Sequence, residues 1–184
     1  MKDQKINLGS GSYKLDGYIN VDIRESTNPD VVADILIKLP FGDLIIDEIR
    51  CAEFIEHFTP EESEIVLKEI WRVLKIDGVF RFGLPNGIKC SKMLADHYHE
   101  PNCELPKRTI EYLLDNIHGE KDIVYREKGD EDELNARLHK NLFSEHYLKL
   151  LLEKIGFIDI KFNQHMEEYD DWKEKYKIIG RAVK

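Results

Sequence analysis

Residues 6–22, INLGSGSYKLDGYINVD, decide how this chain is read. The apolar run Lys5 to Leu8 stops at Gly9-Ser10-Gly11, which predicts a short buried strand feeding a tight turn. Tyr18 to Ile23, YINVDI, is β-branched and aromatic and predicts a second strand. The link between them, SYKLDG, is too short for a full crossover helix. That excludes the usual dinucleotide site. Its fingerprint needs a third glycine where Lys14 stands, a helix behind it, and an acid about 20 residues on, whereas Asp22 follows much sooner. A pyrophosphate seat is therefore poorly supported, and a nucleoside ligand without phosphates fits better.

Outward from this segment, residues 30–34 (DVVAD) and 46–52 (IDEIRCA) predict a third and a fourth strand. Thr59, Pro60 and Glu62 then form a capping box with proline at the first helical position. Val66, Ile70, Val73 and Leu74 recur at helical spacing behind it, and Asp77-Gly78 reads as the stop. Residues 79–84 (VFRFGL) predict a fifth strand. Residues 88–140 are a helical insert or lid, with a helix expected over 108–117 and a solvated acidic stretch over 128–133. A helix follows Ser144, with Leu148, Leu151, Leu152 and Ile155 on one face and Gly156 at its end. Residues 157–163 and 177–183 predict two closing strands. Strands alternating with helices favour a mostly parallel α/β sheet covered on both faces.

The bulk composition agrees with one domain over 1–184. The chain has 184 residues, 42% hydrophobic and 34% charged, which suits a single core. No apolar run approaches the roughly 20 residues of a membrane span, and the N-terminus is not a signal peptide, so the cytoplasm is expected. The net charge of −9 repels phosphate backbones and disfavours general nucleic-acid binding. Cys51, Cys90 and Cys103 show no pairing pattern and are expected as reduced thiols. Cys90, His97, His99 and Cys103 are metal-type ligands, but their spacing matches no usual zinc site, so no metal is expected.

In parallel α/β sheets ligands sit outside the carboxyl ends of the strands. There the sequence places Gly9, Ser10 and Gly11, then Asp22, Asp34, Ala52 and Glu53, and next Glu56 and His57. Glycines allow close approach of a ligand to the backbone. A carboxylate after the second strand can accept from ribose hydroxyls, and one after the third can accept from an adenine amino group. Two glycines in a turn usually make only a turn. The ordered set carries the argument, because its members share one edge of the sheet.

INLGSG, DGYINVDI, VVADILIKLPF, IDEIRCAEFIEHF and LKEIWRVLKIDGVFRFGLPN together resemble the class I S-adenosylmethionine-dependent methyltransferases. The closer resemblance is to a small subgroup in which the first helix shrinks to a turn before a G-[WY]-x-N-x-D segment. Residues 5–86 carry the likeness, and LFSEHYLKLLLEKIGF from Leu142 to Phe157 resembles the penultimate helix and its exit. The resemblance implies a Rossmann-like, doubly wound sheet of seven strands with the last one antiparallel. It implies that Leu8, Gly9, Ser10 and Gly11 wrap the methionine and ribose of S-adenosylmethionine, and that Asp22 holds the ribose with Ile23 against the adenine. It further puts Asp34 and Ile35 at the adenine edge and face, and Ala52 and Glu53 beside the methionine. Asn7 and Ser10 depart from the Asp-x-Gly-x-Gly that many members carry.

Methyl transfer needs alignment first and a base only where the acceptor must lose a proton. His57, just after the fourth strand, and His139, ahead of the late helix, are the candidate acceptor-site residues. CAEF stands where nucleic-acid adenine methylases carry [DN]-P-P-[YFW]. The expected function is methyl transfer to a small-molecule or glycan-type acceptor, the glycan being suggested by the subgroup's likeness to proteins of surface-polysaccharide pathways. The alternative is a non-catalytic module of the same fold that binds cofactor or a partner subunit.

Overall fold

In a computed structural model, residues 4–99, 113, 117, 139–166 and 176–184 are described, the side chains of 97–99 excepted. The strands are β1 (Lys5–Leu8), β2 (Ile19–Asp22), β3 (Val31–Val32), β4 (Ile46–Ala52), β5 (Leu74–Pro85), β6 (Ile158–Phe162) and β7 (Lys177–Val183). The α-helices are α1 (Pro60–Val73), α2 (Gly87–His99) and α3 (Glu145–Ile155). One seven-stranded sheet runs β3-β2-β1-β4-β5-β7-β6. Neighbours from β3 to β5 pair in parallel. β7 slots between β5 and β6 and is antiparallel to both. This is the expected Rossmann-like sheet with its last strand reversed.

The central strands are buried on both faces, as parallel strands under helices must be. Ile6, Val21, Ile49, Phe80 and Phe82 lie in one core with Val66, Leu67, Ile70 and Val73 of α1 and Leu148, Leu151 and Leu152 of α3. The capping box of α1 forms as the sequence predicts. The Thr59 hydroxyl accepts from the Glu62 N–H at 3.3 Å, and the Glu62 carboxylate accepts from the Thr59 N–H at 2.9 Å. Ser144 caps α3 through the Tyr147 N–H, and Gly156 ends it in the left-handed region at φ 117°.

Three elements differ from the sequence reading. The first helix stops at Val73, and Leu74 already begins β5. Asp77-Gly78 is therefore no helix stop. It is part of a bulge, because β4 passes from Ile46 to Glu48 while β5 passes from Leu74 to Val79. Both Val73 and Leu74 are fully buried, so packing draws the chain into the sheet before the exposed Lys75–Asp77 segment appears. The third strand is only Val31–Val32, and Asp34 lies in the turn beyond it. Directly after β5 a helix, α2, opens the segment read as a helical insert or lid, a helix whose position the sequence reading did not give. The Asn86 side chain accepts from the Lys89 N–H at 3.1 Å at its start. Of the helix expected over 108–117, Leu113 and Ile117 are described as helical, with Leu113 packed against Cys90 and Tyr176. The acidic stretch 128–133 lies outside the described residues. Among the described residues no helix is long and apolar enough to cross a membrane.

The register of β7 is demanding at Gly180, which pairs with both Phe82 and Phe162. A Cβ there would stand 2.5 Å from the Lys161 carbonyl and 2.7 Å from the Phe82 ring. Gly180→Ala is expected to cost about 1–3 kcal/mol through overpacking. Urea denaturation reads this as a lower midpoint, and an unchanged midpoint would contradict the pairing of β7.

Candidate functional site

The crossover from β1 to β2 contains no helix, so side chains hold it in place of helix packing. Asn7 and Asn20, on adjacent strands, are both buried. The Asn7 amide donates to the Asn20 Oδ1 at 3.0 Å and to the Tyr13 carbonyl at 2.9 Å. Asn20 Oδ1 also accepts from the Leu15 N–H at 2.9 Å. The Asp30 carboxylate accepts from the Asn20 N–H at 2.7 Å and from its amide at 2.9 Å, and these bonds hold Asp30 below the usual carboxylate range. Arg50 of β4 donates to Asn7 Oδ1 at 3.0 Å. Asn7, where many relatives of the resembled family carry an acid, is thus bound within the crossover.

The same crossover shapes the strand ends above it. Gly9 and Gly11 take φ of 67° and 49°, which favours glycine. The Gly11 N–H donates to Asp22 Oδ2 at 2.8 Å. Asp22 Oδ1 accepts from the Arg24 N–H at 2.9 Å and from its Nε at 3.2 Å. A carboxylate offers roughly four acceptor positions, so three are taken by the chain itself. For Asp22 to accept from two further donors, the Arg24 guanidinium would have to leave Oδ1.

Leu8, Gly9, Asp22, Ile23, Asp34, Ile35, Glu53 and His57 all line one cavity of about 270 Å³, close to the lower end of ligand pockets at about 300 Å³. Ile35 is buried and Ile23 is exposed. Asp34 Oδ1 accepts from the Leu36 N–H at 2.9 Å, which turns the chain after β3. Ser10, Gly11, Ala52 and His139 are not in the lining. Ser10 and Gly11 form the turn behind it, and Ala52 packs beside Met166 and Ile179. Arg24, Phe54, Phe58, Glu62 and Lys140 line the cavity without having been singled out in the sequence as site residues. Phe54 and Phe58 stack edge to face at 5.1 Å. Their position after β4 was the available signal.

Glu53 sits in the left-handed region at φ 52°, a conformation costing about 1–3 kcal/mol for a non-glycine residue and common at functional sites. Its N–H donates to the Gly83 carbonyl at 2.8 Å, and its carboxylate accepts from Lys177 Nζ at 2.7 Å. The next turn, Ile55–His57, carries Glu56 and His57. The Glu56 carbonyl accepts from the N–H groups of Lys140 at 2.8 Å and Asn141 at 3.2 Å. That strap brings His139 over the turn, with its ring centroid 5.0 Å from that of His57 and its Nε2 3.9 Å from Glu56 Oε1. Burial, and then the Glu53 charge, push the Glu56 carboxyl well above its usual range. The other metal-type group is not assembled among the described residues. Cys90 is buried beside Leu113 and Tyr176, its thiol pushed up to about 11 by burial; the side chains of His97, His99 and Cys103 lie outside the described residues.

A family model described as a methyltransferase domain matches residues 17–82. No curated protein matches the chain by sequence. Its structure is similar to that of a SAM-dependent methyltransferase from Archaeoglobus fulgidus, with TM-score 0.58 and 16% identity over 99% of this chain and 86% of that one. A SAM-dependent methyltransferase from Methanosarcina mazei gives TM-score 0.59 and 16% identity over 100% and 92%. Haemonchus contortus phosphoethanolamine N-methyltransferase 2, solved with phosphomonomethylethanolamine and S-adenosylhomocysteine, gives 0.56 and 13%, covering 100% of this chain and 49% of that one. The fold is thus the one seen in these SAM-dependent methyltransferases, and residues 17–82 match the methyltransferase-domain model.

A Cβ on Gly9 would stand 2.2 Å from the Phe54 ring in the cavity wall, whereas one on Gly17, at φ 83°, would meet nothing within 4 Å. Both Ala variants bear backbone strain, of roughly 1 kcal/mol or more. Gly9→Ala is expected to lose clearly more stability than Gly17→Ala in urea titrations. Equal losses would contradict the close packing of the β1 turn on Phe54.

Proposed function

We propose that this chain transfers the methyl group of S-adenosylmethionine to a small-molecule or glycan-type acceptor, in the cytoplasm. The observation that carries the reading is the meeting of Gly9, Asp22 and Asp34 in one cavity at the carboxyl ends of β1, β2 and β3. The cavity has the right chemistry for an adenosyl group. Apolar Ile23 and Ile35 can flank a purine, and Asp22 and Asp34 lie on the same rim for the ribose hydroxyls and the adenine amino group. Leu8 to Gly11 would wrap the ribose and methionine, with Ala52 behind and Glu53 beside the methionine end. Glu53 is suited to the cationic amino group there, a role that Asn7, tied into the crossover, does not fill.

When bound, the cofactor supplies a methyl group on a positively charged sulfur. The protein has then to align the acceptor and exclude water, and alignment contributes up to about 7–11 kcal/mol in such reactions. Phe54 and Phe58 form an apolar wall beside His57. His57 is the group placed to take a proton from the acceptor. His139 does not line the cavity and acts on His57 and Glu56 as a positioning residue. Of the insert expected over 88–140, residues 100–138 lie outside the described residues apart from Leu113 and Ile117, and Lys140 at its end lines the cavity. The acidic chain and the CAEF segment argue against a nucleic-acid acceptor.

Calorimetry with S-adenosylhomocysteine tests the reading. The chain is expected to bind it with one site, and Asp22→Ala to weaken binding at least tenfold, which is about 1.4 kcal/mol. Failure of both S-adenosylmethionine and S-adenosylhomocysteine to bind would overturn the cofactor assignment. Unchanged affinity in Asp22→Ala would remove Asp22 from the site. Binding without turnover across candidate acceptors would favour the non-catalytic module.

A further inference from the structure

We propose that Glu56, His57 and His139 form a site for one divalent transition-metal ion at the edge of the cavity, which departs from the sequence expectation of no metal. One carboxylate oxygen of Glu56 and one imidazole nitrogen of each histidine lie within 4.8 Å of one another. Ligands at bond lengths of about 2.0–2.2 Å stand roughly 3–3.5 Å apart, so side-chain rotations of about 1 Å close the set. Glu56 is 1% exposed, and neither of its carboxylate oxygens has a hydrogen-bond partner among the described residues. A buried carboxylate is ordinarily bonded, paired or bound to a metal. His139 Nε2 stands 3.9 Å from Glu56 Oε1, beyond the roughly 2.7–2.9 Å of a charge-assisted hydrogen bond.

The site is also built by the backbone. Glu56 and His57 share one short turn. His139 comes from a distant part of the chain and is fastened there by the Lys140 and Asn141 N–H bonds to the Glu56 carbonyl. Two imidazoles and one carboxylate suit zinc, cobalt, iron or manganese, and three protein ligands leave at least one coordination position open. His57 lines the cavity, so the open position borders the place of the acceptor; with His57 held as a ligand, the ion rather than the imidazole activates the acceptor. Under the methyltransferase reading, on which this last step rests, the acceptor belongs to the oxygen-donor class, a hydroxyl held by the ion.

The test uses the full chain, stripped with a chelator that is then removed, and titrated with Co²⁺ and with Zn²⁺. One ion per chain is expected, with Co²⁺ absorption bands of a low-symmetry nitrogen–oxygen site. Glu56→Gln and His139→Ala are each expected to weaken binding at least tenfold, with thermal melting confirming that the variants fold. Where Glu56→Gln does not fold, His139→Ala decides. Acetohydroxamate, an oxygen chelator, should shift the Co²⁺ bands; unshifted bands would overturn the open position. No stoichiometric binding of either ion, or equal binding by folded variants, would overturn the site. S-adenosylhomocysteine binding is measured on the same samples. Its absence with metal bound would sink the methyltransferase reading and leave the ion site standing.

Discussion

The structure depends on how two parallel strands are joined without a helix. Parallel neighbours usually need a crossover of a dozen or more residues that packs back on the sheet. Here residues 9–18 make that connection, and a buried polar network holds them. Asn20 is its hub, receiving Asn7 and the Leu15 N–H and donating to Asp30. Each of these groups is expensive to leave unpaired in the interior, so the turn has one satisfied arrangement. That arrangement places Gly9 against Phe54 and Gly11 against Asp22.

One consequence is that Asp22 serves two ends. It anchors the turn through the Gly11 N–H and lies in the cavity. The G-[WY]-x-N-x-D segment, Gly17 to Asp22, therefore divides its labour: the asparagine locks the crossover and the aspartate presents the carboxylate. A second consequence is felt at β4. Arg50 reaches Asn7 from below, while a few residues on the chain leaves the strand through the strained Glu53 into the turn carrying Glu56 and His57. The Asp22 end and the Glu53–His57 end of the cavity are thus set by strands of one sheet that flank β1.

Much of this was legible in the sequence, because local chemistry and tertiary packing agree. The capping box at Thr59, the Gly156 stop and the seven strands were read from period and caps. Gly9, Asp22, Asp34 and Glu53 were read from the rule that ligands sit at strand ends, Leu8 from the family resemblance, and all five line the cavity. What failed was local reading where packing overrides it. Asp77-Gly78 has the chemistry of a helix stop, yet burial of Val73 and Leu74 ends the helix earlier and turns the pair into a bulge. Helix α2 falls in the expected helical insert, but its start was not placed, because Pro85-Asn86-Gly87 reads as a loop until the Asn86 cap is seen. The Glu56, His57 and His139 cluster could not be found by spacing, since His139 lies far from the adjacent Glu56 and His57 and is brought to them by the Lys140 and Asn141 backbone bonds.

The most direct measurement of the central claim is a crystal structure with S-adenosylhomocysteine bound. The account predicts the ribose hydroxyls on Asp22, the Arg24 guanidinium moved off Oδ1, and the adenine between Ile23 and Ile35 with its amino group at Asp34. A nucleoside seated away from Asp22, with the Gly11 turn and Arg24 unmoved, would contradict it.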